Sequence, residues 1–318
     1  MTETPWLADK ALFLHAAIVE DLEQVRVAEM NRLRLLVTPA DQPDEDGMCR
    51  GTGWLPPGIQ PGKQVAAKVM DAARKHLREA GQKDGRVIPP KDWHAAVWSL
   101  CMILLQLRAT EEAAVTELEK AMRRHPLGEF EKSVTGLGAK QFGRLLGIIG
   151  DPYVRGVQAG PDGAELPPAP RTRSQLRSLC GHGDPARKPF KGMTQEDARA
   201  LGRPDAKMRL HLIAEQFIRY TGEPDKNGKP TPLSPYRIVY DDARKEYAER
   251  VHEGECLNRS RISPNGCGTR DHPEWGAPGS PWRDGHQHGA AIRLVAKRFL
   301  DDLYDEAKRL HEERDASD

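Results

Sequence analysis

The longest regular pattern of apolar positions in the chain lies between residues 93 and 124. Apolar side chains recur there at alternating spacings of four and three, interrupted by Glu111, and the positions are Leu100, Leu104, Leu107, Ala114, Leu118 and Ala121. This spacing predicts one long helix that packs along a partner helix, as in a coiled coil. Pro126 and Gly128 end it, because proline cannot continue the hydrogen-bond ladder and glycine accepts the left-handed exit conformation.

Other segments with helical periodicity precede and follow this helix. They comprise residues 8–37, 65–80, 139–149, 204–220, 235–251 and 290–313, separated by proline- and glycine-rich stretches at 38–65, 154–170 and 252–288. The pattern predicts an all-α protein. We expect residues 1–125 to form a long helical hairpin or coiled coil with a flexible insertion near 38–65. We expect residues 126–318 to form a compact helical domain with a helix-hairpin-helix and an insertion near 252–288.

Composition narrows the class of protein. Hydrophobic residues are 38%, charged residues 30% and aromatic residues only 6% of the 318 residues, which favours helices with long polar faces over a β-sandwich. The net charge of +1 means that binding to nucleic acid must depend on local basic patches. The five cysteines do not form the pattern of a disulfide framework, and no secretory or membrane-spanning apolar run occurs. We therefore expect a cytoplasmic protein.

The first candidate for a binding site is the segment 134–144. Gly136 and Gly138 allow the backbone to approach a ligand closely, and the helix that begins near Ala139 presents unpaired amide hydrogens and the positive end of its dipole. Lys140 and Arg144 would add positive charge, so phosphate is the predicted ligand. The alternative is that the two glycines only permit a tight turn between packed helices.

The second candidate is the basic stretch, residues 171–191. It contains six basic residues against the single acid Asp184, and these are Arg171, Arg173, Arg177, Arg187, Lys188 and Lys191. Contact with a phosphate backbone would make binding strongly dependent on salt. The alternative is a solvated loop whose arginines pair with acids elsewhere in the chain.

The third candidate is a metal site between residues 252 and 288. The predicted ligands are His252, Cys256, Cys267 and His272, with His286 and His288 in the same segment. A segment so rich in glycine and proline has little core of its own, and a structural zinc ion would hold it together. No CxxC spacing is present, so a flexible insertion with incidental cysteines is the alternative.

Two consecutive aspartates raise a further possibility. Asp241 and Asp242 follow an apolar triplet, and a strand that ended in two aspartates would suggest a metal-dependent nuclease. The residues that follow continue at helical period, which favours an exposed helix face instead.

Six segments in a fixed order suggest a family. They are HPL at the end of the long helix, GLGAKQFGRLLGIIGDPY, LRSLCGHG, GRPDAKMRLHLIAEQFIRY, SPYRIVYDDARKEYAERV and AAIRLVAKRFLDDLYDEAKR. Together they resemble the C-terminal half of the DEDD-type insertion-sequence transposases, the family of bridge-RNA-guided recombinases. The resemblance covers residues 18–312, with insertions at 38–92 and 252–288, and it implies a helical shell that binds nucleic acid.

Two departures from that family argue against strand-transfer chemistry. The N-terminal nuclease-like domain with its four acidic metal ligands has no counterpart, because the predicted coiled coil begins almost at the first residue. The loop that carries the family's serine nucleophile reads GDPARKPFKG here and contains no serine. Ser178 and Thr194 are the nearest hydroxyl side chains, and a hydroxyl without an activating base is not a nucleophile.

The sequence therefore predicts a transposase-derived protein that binds DNA, or structured RNA with DNA, without catalysing strand transfer. The long helices predict a homodimer. One alternative is a divergent recombinase that uses Ser178 or Thr194 together with a metal site supplied by a separate nuclease subunit. Another is a non-enzymatic helical assembly protein of a phage or mobile element.

Overall fold

The computed structural model has the predicted all-α fold. It describes residues 5–41, 43, 47–80, 88–159, 165–184, 193–194, 197, 201–224, 228–256, 267 and 272–317. The helices are α1 (Lys10–Val37), α2 (Val65–Ala80), α3 (Ala95–Arg124), α4 (Gly128–Ser133), α5 (Ala139–Ile149), α6 (Arg173–Leu179), α7 (Pro204–Phe217), α8 (Pro235–Ala248) and α9 (Asp284–Asp315). Within this described part of the chain, no helix is long and apolar enough to cross a membrane.

The chain divides into two compact units, and the smaller comprises Ala17–Glu117. Its core consists of apolar side chains from α1, α2 and α3, among them Leu33, Val69 and Trp98. Glu111, the residue that interrupts the apolar pattern of α3, is buried and forms an ion pair with Arg26 of α1. Part of the partner surface predicted for α3 is therefore supplied by helices of the same chain.

The larger unit comprises Met1–Ala16 together with Leu118–Asp318. Helix α9 packs against α6, α7 and α8, and its buried stripe includes Ile292, Val295, Phe299, Leu303 and Ala307. The ring of Phe299 lies 5.5–6.2 Å from the rings of Phe130, Phe142, Phe217 and Tyr236. This aromatic centre joins α9 to α4, α5, α7 and α8, and it fixes the elements that carry both candidate sites.

Helix α5 is buried on more than one side. It packs against α7, and its Gly143 and Gly147 lie against Leu12 and Ala16 of α1. A Cβ atom at Gly147 would come within 2.6 Å of the Ala16 Cβ, so the absence of a side chain permits this close approach.

Residues 154–170 differ from the predicted irregular connection. Strand β1 (Val154–Arg155) pairs antiparallel with β4 (Ala169–Pro170), and β2 (Gln158–Ala159) pairs antiparallel with β3 (Glu165–Leu166). Because each strand has only two residues, the apolar and polar positions offer no alternating pattern from which a strand could be predicted.

Candidate metal centre and nucleic-acid interface

Short backbone pairings order the segment that carries the candidate metal ligands. Val251 and Pro281 form an antiparallel bridge, the amide of His252 donates to the Ser280 carbonyl at 2.9 Å, and the amide of Cys256 donates to the Gly276 carbonyl at 2.8 Å. Helix α9 begins three residues after Pro281, at Asp284. The two arms therefore bring residues 252–256 beside the first turn of α9.

Four side chains converge there and form the Cys/His cluster, defined as His252, Cys256, Cys267 and His286. One ligand atom from each lies within 4.8 Å of all the others. The His286 Nδ1 atom is 3.1 Å from the Cys267 Sγ atom and 3.6 Å from the Cys256 Sγ atom. In a tetrahedral zinc site, bonds of about 2.0–2.3 Å hold ligand atoms at comparable separations.

The environment of the cluster suits a metal ion. The Nε2 atom of His252 is buried and has no hydrogen-bond partner among the residues described, and such an orphaned nitrogen is costly unless something binds it. Burial raises the pKa of the Cys267 thiol, an effect that metal ligation would oppose. The ring of Trp282 stacks on His286 at a centroid distance of 4.2 Å and fixes its orientation. A metal ion bound by all four side chains would have no open position, as in structural rather than catalytic sites.

The predicted ligand set is wrong at one position, because His286 and not His272 belongs to the cluster. His272 is exposed, stacks on Trp275 at 3.9 Å, and its Nδ1 atom lies 3.1 Å from a carboxylate oxygen of Glu274. His288 also lies elsewhere, with its Nδ1 atom 2.8 Å from the Tyr240 hydroxyl.

A cleft of about 620 Å³ lies at the N-terminal end of α5 and is called the α5 cleft here. Its lining includes Gly136, Gly138, Lys140, His211, Glu119, Glu215 and Arg219. Gly138 is the cap residue and supplies no side-chain cap, so the first-turn amides gain no acceptor from it. In the described ranges, the exposed Arg219 side chain makes no hydrogen bond or ion pair. The cleft thus combines a helix N-terminus with cationic side chains, next to two carboxylates.

Gly136 is required by the turn itself. Its φ of 91° lies in the left-handed region, and a Cβ atom there would come within 2.9 Å of the Tyr220 ring. Gly136 therefore both permits the tight turn between the helices and lines the cleft, so the two interpretations of this glycine do not exclude each other.

The prediction that Arg144 meets phosphate is wrong. Its side chain is only 1% exposed, because α5 is covered both by α7 and by the N-terminal part of α1. A side chain enclosed in this way cannot reach a nucleic-acid backbone, whereas Lys140 is half-buried and lines the cleft.

The arginines of the basic stretch that the structure describes are engaged within the protein. Arg173 forms an ion pair with Asp305 and Arg177 with Asp301, both acids on α9. Arg171 donates to the Asp151 carbonyl at 2.8 Å. Phosphate contact through these three side chains would first have to break the bonds they already make. Arg187, Lys188 and Lys191 lie outside the described residues.

Among the described residues, neither candidate nucleophile is hydrogen-bonded to a histidine. In the described part of the chain, no histidine or carboxylate is hydrogen-bonded to the Ser178 hydroxyl, which faces the backbone of Gly183. The Thr194 hydroxyl donates to the Asp197 carboxylate at 2.7 Å and accepts from the Asp197 amide at 3.1 Å. The Thr194 hydroxyl is therefore engaged by Asp197 both as a donor and as an acceptor. Asp241 and Asp242 lie on α8 and pair with Arg237 and Lys245, so they form the predicted helix face.

Two residues of the candidate sites were not among the predicted site residues. His286 was named with the histidines of the 252–288 segment but not among the four predicted ligands, and it lies two residues into α9, which begins at Asp284 and not near residue 290 as predicted. Arg219 follows the end of α7 and reaches the cleft only because α7 packs against α5. Comparison with models of protein families, with curated proteins and with solved structures gave no match to this chain. The chemistry of these side chains is therefore the basis for assigning a function.

Proposed function

We propose that the Cys/His cluster binds a structural zinc ion. The observation that carries this proposal is the convergence of two thiols and two imidazoles, one of which has a buried nitrogen without a partner. Two sulfur and two nitrogen ligands are the set that tetrahedral Zn²⁺ prefers. The ion would tie residues 252–256 and residue 267 to the start of α9.

Metal analysis of the purified full chain tests this proposal. We expect about one zinc ion per chain, which is the stoichiometry of a closed four-ligand site, and we expect Cys267→Ser and His252→Ala to lose it. His272→Ala is the matched control, because His272 lies in the same segment but outside the cluster. Zinc retention by Cys267→Ser, or zinc loss by His272→Ala, would contradict the assignment.

Chelation gives a second measurement on the same site. A ligand that binds only the folded state at 100 times its Kd stabilises that state by about 2.7 kcal/mol. Removal of zinc should therefore lower the unfolding midpoint of the wild type and leave that of Cys267→Ser unchanged.

A second function is supported by the α5 cleft. We propose that the protein binds DNA, or structured RNA with DNA, and that phosphate lies at the N-terminus of α5 near Lys140 and Arg219. Helix N-termini bind phosphate through their amides and dipole. The Arg219 side chain, which makes no hydrogen bond or ion pair among the described residues, strengthens the case for an anion. In this proposal the chain derives from a transposase and acts without strand transfer, since Ser178 has no base among the described residues and the Thr194 hydroxyl is held in a reciprocal pair with Asp197.

A salt titration of binding to labelled duplex DNA and to structured RNA tests the second function. The logarithm of the affinity should fall linearly with the logarithm of salt concentration, and Lys140→Gln/Arg219→Gln should make the slope shallower by about 1.8 units for duplex DNA. Lys245→Gln/Lys308→Gln is the matched control, because both lysines are in exposed ion pairs on other helices. Absence of binding at low salt would favour the assembly-protein alternative.

A further inference from the structure

A second group of basic side chains surrounds the turn that follows α6. His182 lies in this turn, Lys207 lies on α7, and Arg293 and Lys297 lie one turn apart on α9. Because α9 packs against both α6 and α7, these side chains are carried by elements that pack together. We call this group the cationic cluster, defined as Lys207, Arg293 and Lys297 around His182.

The turn itself is shaped to admit the Lys207 side chain. Gly181 has a φ of 70°, and a Cβ atom there would come within 3.0 Å of the Lys207 Cδ atom. His182 is 8% exposed, and its ring makes no hydrogen bond within the described ranges. The His182 imidazole is therefore nearly buried, and it has no hydrogen-bond partner among the described residues.

The acids nearest in sequence are already engaged. Asp205, two residues before Lys207, binds Arg203 at 2.7 Å. Asp301, one turn after Lys297, binds Arg177. In the described part of the chain, no ion pair of Lys207, Arg293 or Lys297 is found. These three cations on packed elements thus have no ion-pair partner among the described residues.

The electrostatics of the group agree with this geometry. Burial, followed by the charges of Lys207, Lys297, Arg293 and His211, lowers the pKa of His182 to about 4. Burial and the charge of Arg293 also lower the pKa of Lys207. Like charges one helical turn apart destabilise a helix, so Arg293 and Lys297 repel each other unless an anion joins them.

We propose that the cationic cluster is a second anion site, separate from the α5 cleft, and that its ligand is the phosphodiester of a nucleic acid. As an anion site it stands independently of the cleft, and its nucleic-acid ligand rests on the proposed function. A phosphate accepts charge-assisted hydrogen bonds from lysine and arginine and would supply the missing counter-charge.

Helix α7 connects the two sites. Lys207, His211, Glu215 and the following Arg219 succeed one another at steps of four residues, and the last three line the cleft. Residues four apart are neighbours on a helix surface, about 6 Å apart along its axis at 1.5 Å per residue. A nucleic-acid strand that lay along this ridge would reach the cluster and the cleft together.

Binding of inorganic phosphate to the full zinc-loaded chain separates the two sites. We expect phosphate to raise the unfolding midpoint of the wild type and to shift the NMR signals of the His182 ring, but not those of the exposed His94. Lys207→Gln/Arg293→Gln/Lys297→Gln should lose both effects, and Lys140→Gln/Arg219→Gln should keep them. If phosphate leaves the His182 signals of the wild type unmoved, the anion site is refuted, whatever the folding of the variants.

Nucleic acid is the second arm of the experiment. The triple cluster variant should make the salt slope for duplex DNA shallower by about 2.7 units. A charge-matched control is Lys75→Gln/Lys245→Gln/Lys308→Gln, which removes three exposed lysines that are in ion pairs. An unchanged slope in the cluster variant, with phosphate binding lost, would refute the nucleic-acid ligand and leave free phosphate. If the salt dependence of DNA binding becomes shallower in the cluster variant but not in Lys140→Gln/Arg219→Gln, nucleic acid contacts the cationic cluster and not the α5 cleft.

Discussion

The basic stretch and the cationic cluster contain the same kinds of side chain in opposite situations. In the stretch, Arg173 and Arg177 are adjacent in sequence to other cations but bind acids of α9. In the cluster, Lys207 and Lys297 are 90 positions apart in sequence, yet they lie on helices α7 and α9, which pack together, and neither forms an ion pair among the described residues. The basic residues that stabilise the fold through ion pairs thus lie close together in the sequence. The basic residues that remain for a ligand come from distant positions in the sequence.

The largest expected effect concerns acid and His182. Its pKa is about 4 in the folded state and about 6.5 in an unfolded chain. Between these values the unfolded state binds more protons, so stability falls as pH falls through this window and is fully present above it. The loss should reach about 3 kcal/mol at 1.36 kcal/mol per pKa unit.

Urea unfolding at pH 7, 5.5 and 4 measures this loss. His182→Gln should remove that part of the pH dependence, whereas His94→Gln, at an exposed position, should keep it. An equal pH dependence in wild type and His182→Gln would show that burial and the neighbouring charges do not lower the pKa of His182.

A smaller effect is expected when a paired arginine is removed. Arg177→Ala should lower the free energy of unfolding by about 0.5–1 kcal/mol, since its ion pair with Asp301 ties α6 to α9 but is partly solvated. Arg173→Ala, in a more exposed pair, should cost less. Salt titrations should show unchanged nucleic-acid binding in both variants. If the dependence of affinity on salt became shallower, the paired arginines of the basic stretch would also contact nucleic acid, as the cationic cluster is proposed to do.

The smallest effect has the opposite sign. Lys297→Gln should raise the free energy of unfolding by about 0.2–0.5 kcal/mol, because it removes a like charge one turn from Arg293. The same variant should bind inorganic phosphate more weakly. Chemical denaturation without phosphate measures the gain in stability, and a phosphate titration measures the loss of affinity. If Lys297→Gln lowers the free energy of unfolding, Arg293 and Lys297 do not destabilise the fold by repulsion.

The sequence allowed the helices to be predicted well where periodicity and helix breakers agreed. Residues 65–80 and the start of α5 at Ala139 lie where the pattern placed them, since an apolar stripe and a flanking glycine or proline specify both the face and the ends. The N-terminal sixteen residues could not be assigned to the larger unit, because the periodicity of α1 continues without a break across that boundary.

The candidate sites were less predictable because they depend on which faces become enclosed. Arg144 has the same sequence context as a solvent-facing arginine, and only the packing of α5 between two neighbours buries it. His272 and His286 are equally plausible ligands by composition, but stacking turns one toward Trp275 and the other toward the thiols. Arg293 and Lys297 read as the polar face of an amphipathic helix until α6 and α7 are placed beside them.

The pairing of Leu7 with Asp151 sets an order of events during protein synthesis. The Leu7 amide donates to a carboxylate oxygen that lies 144 positions later in the chain. At about 5–20 residues per second, a ribosome needs roughly 7–29 s to bridge that interval. Residues 17–117, which contain a core of their own, are complete by then. Throughout this delay Leu7 and Leu12 lack these neighbours from the later half of the sequence, so the segment that carries them must be kept from aggregation until that half has been made.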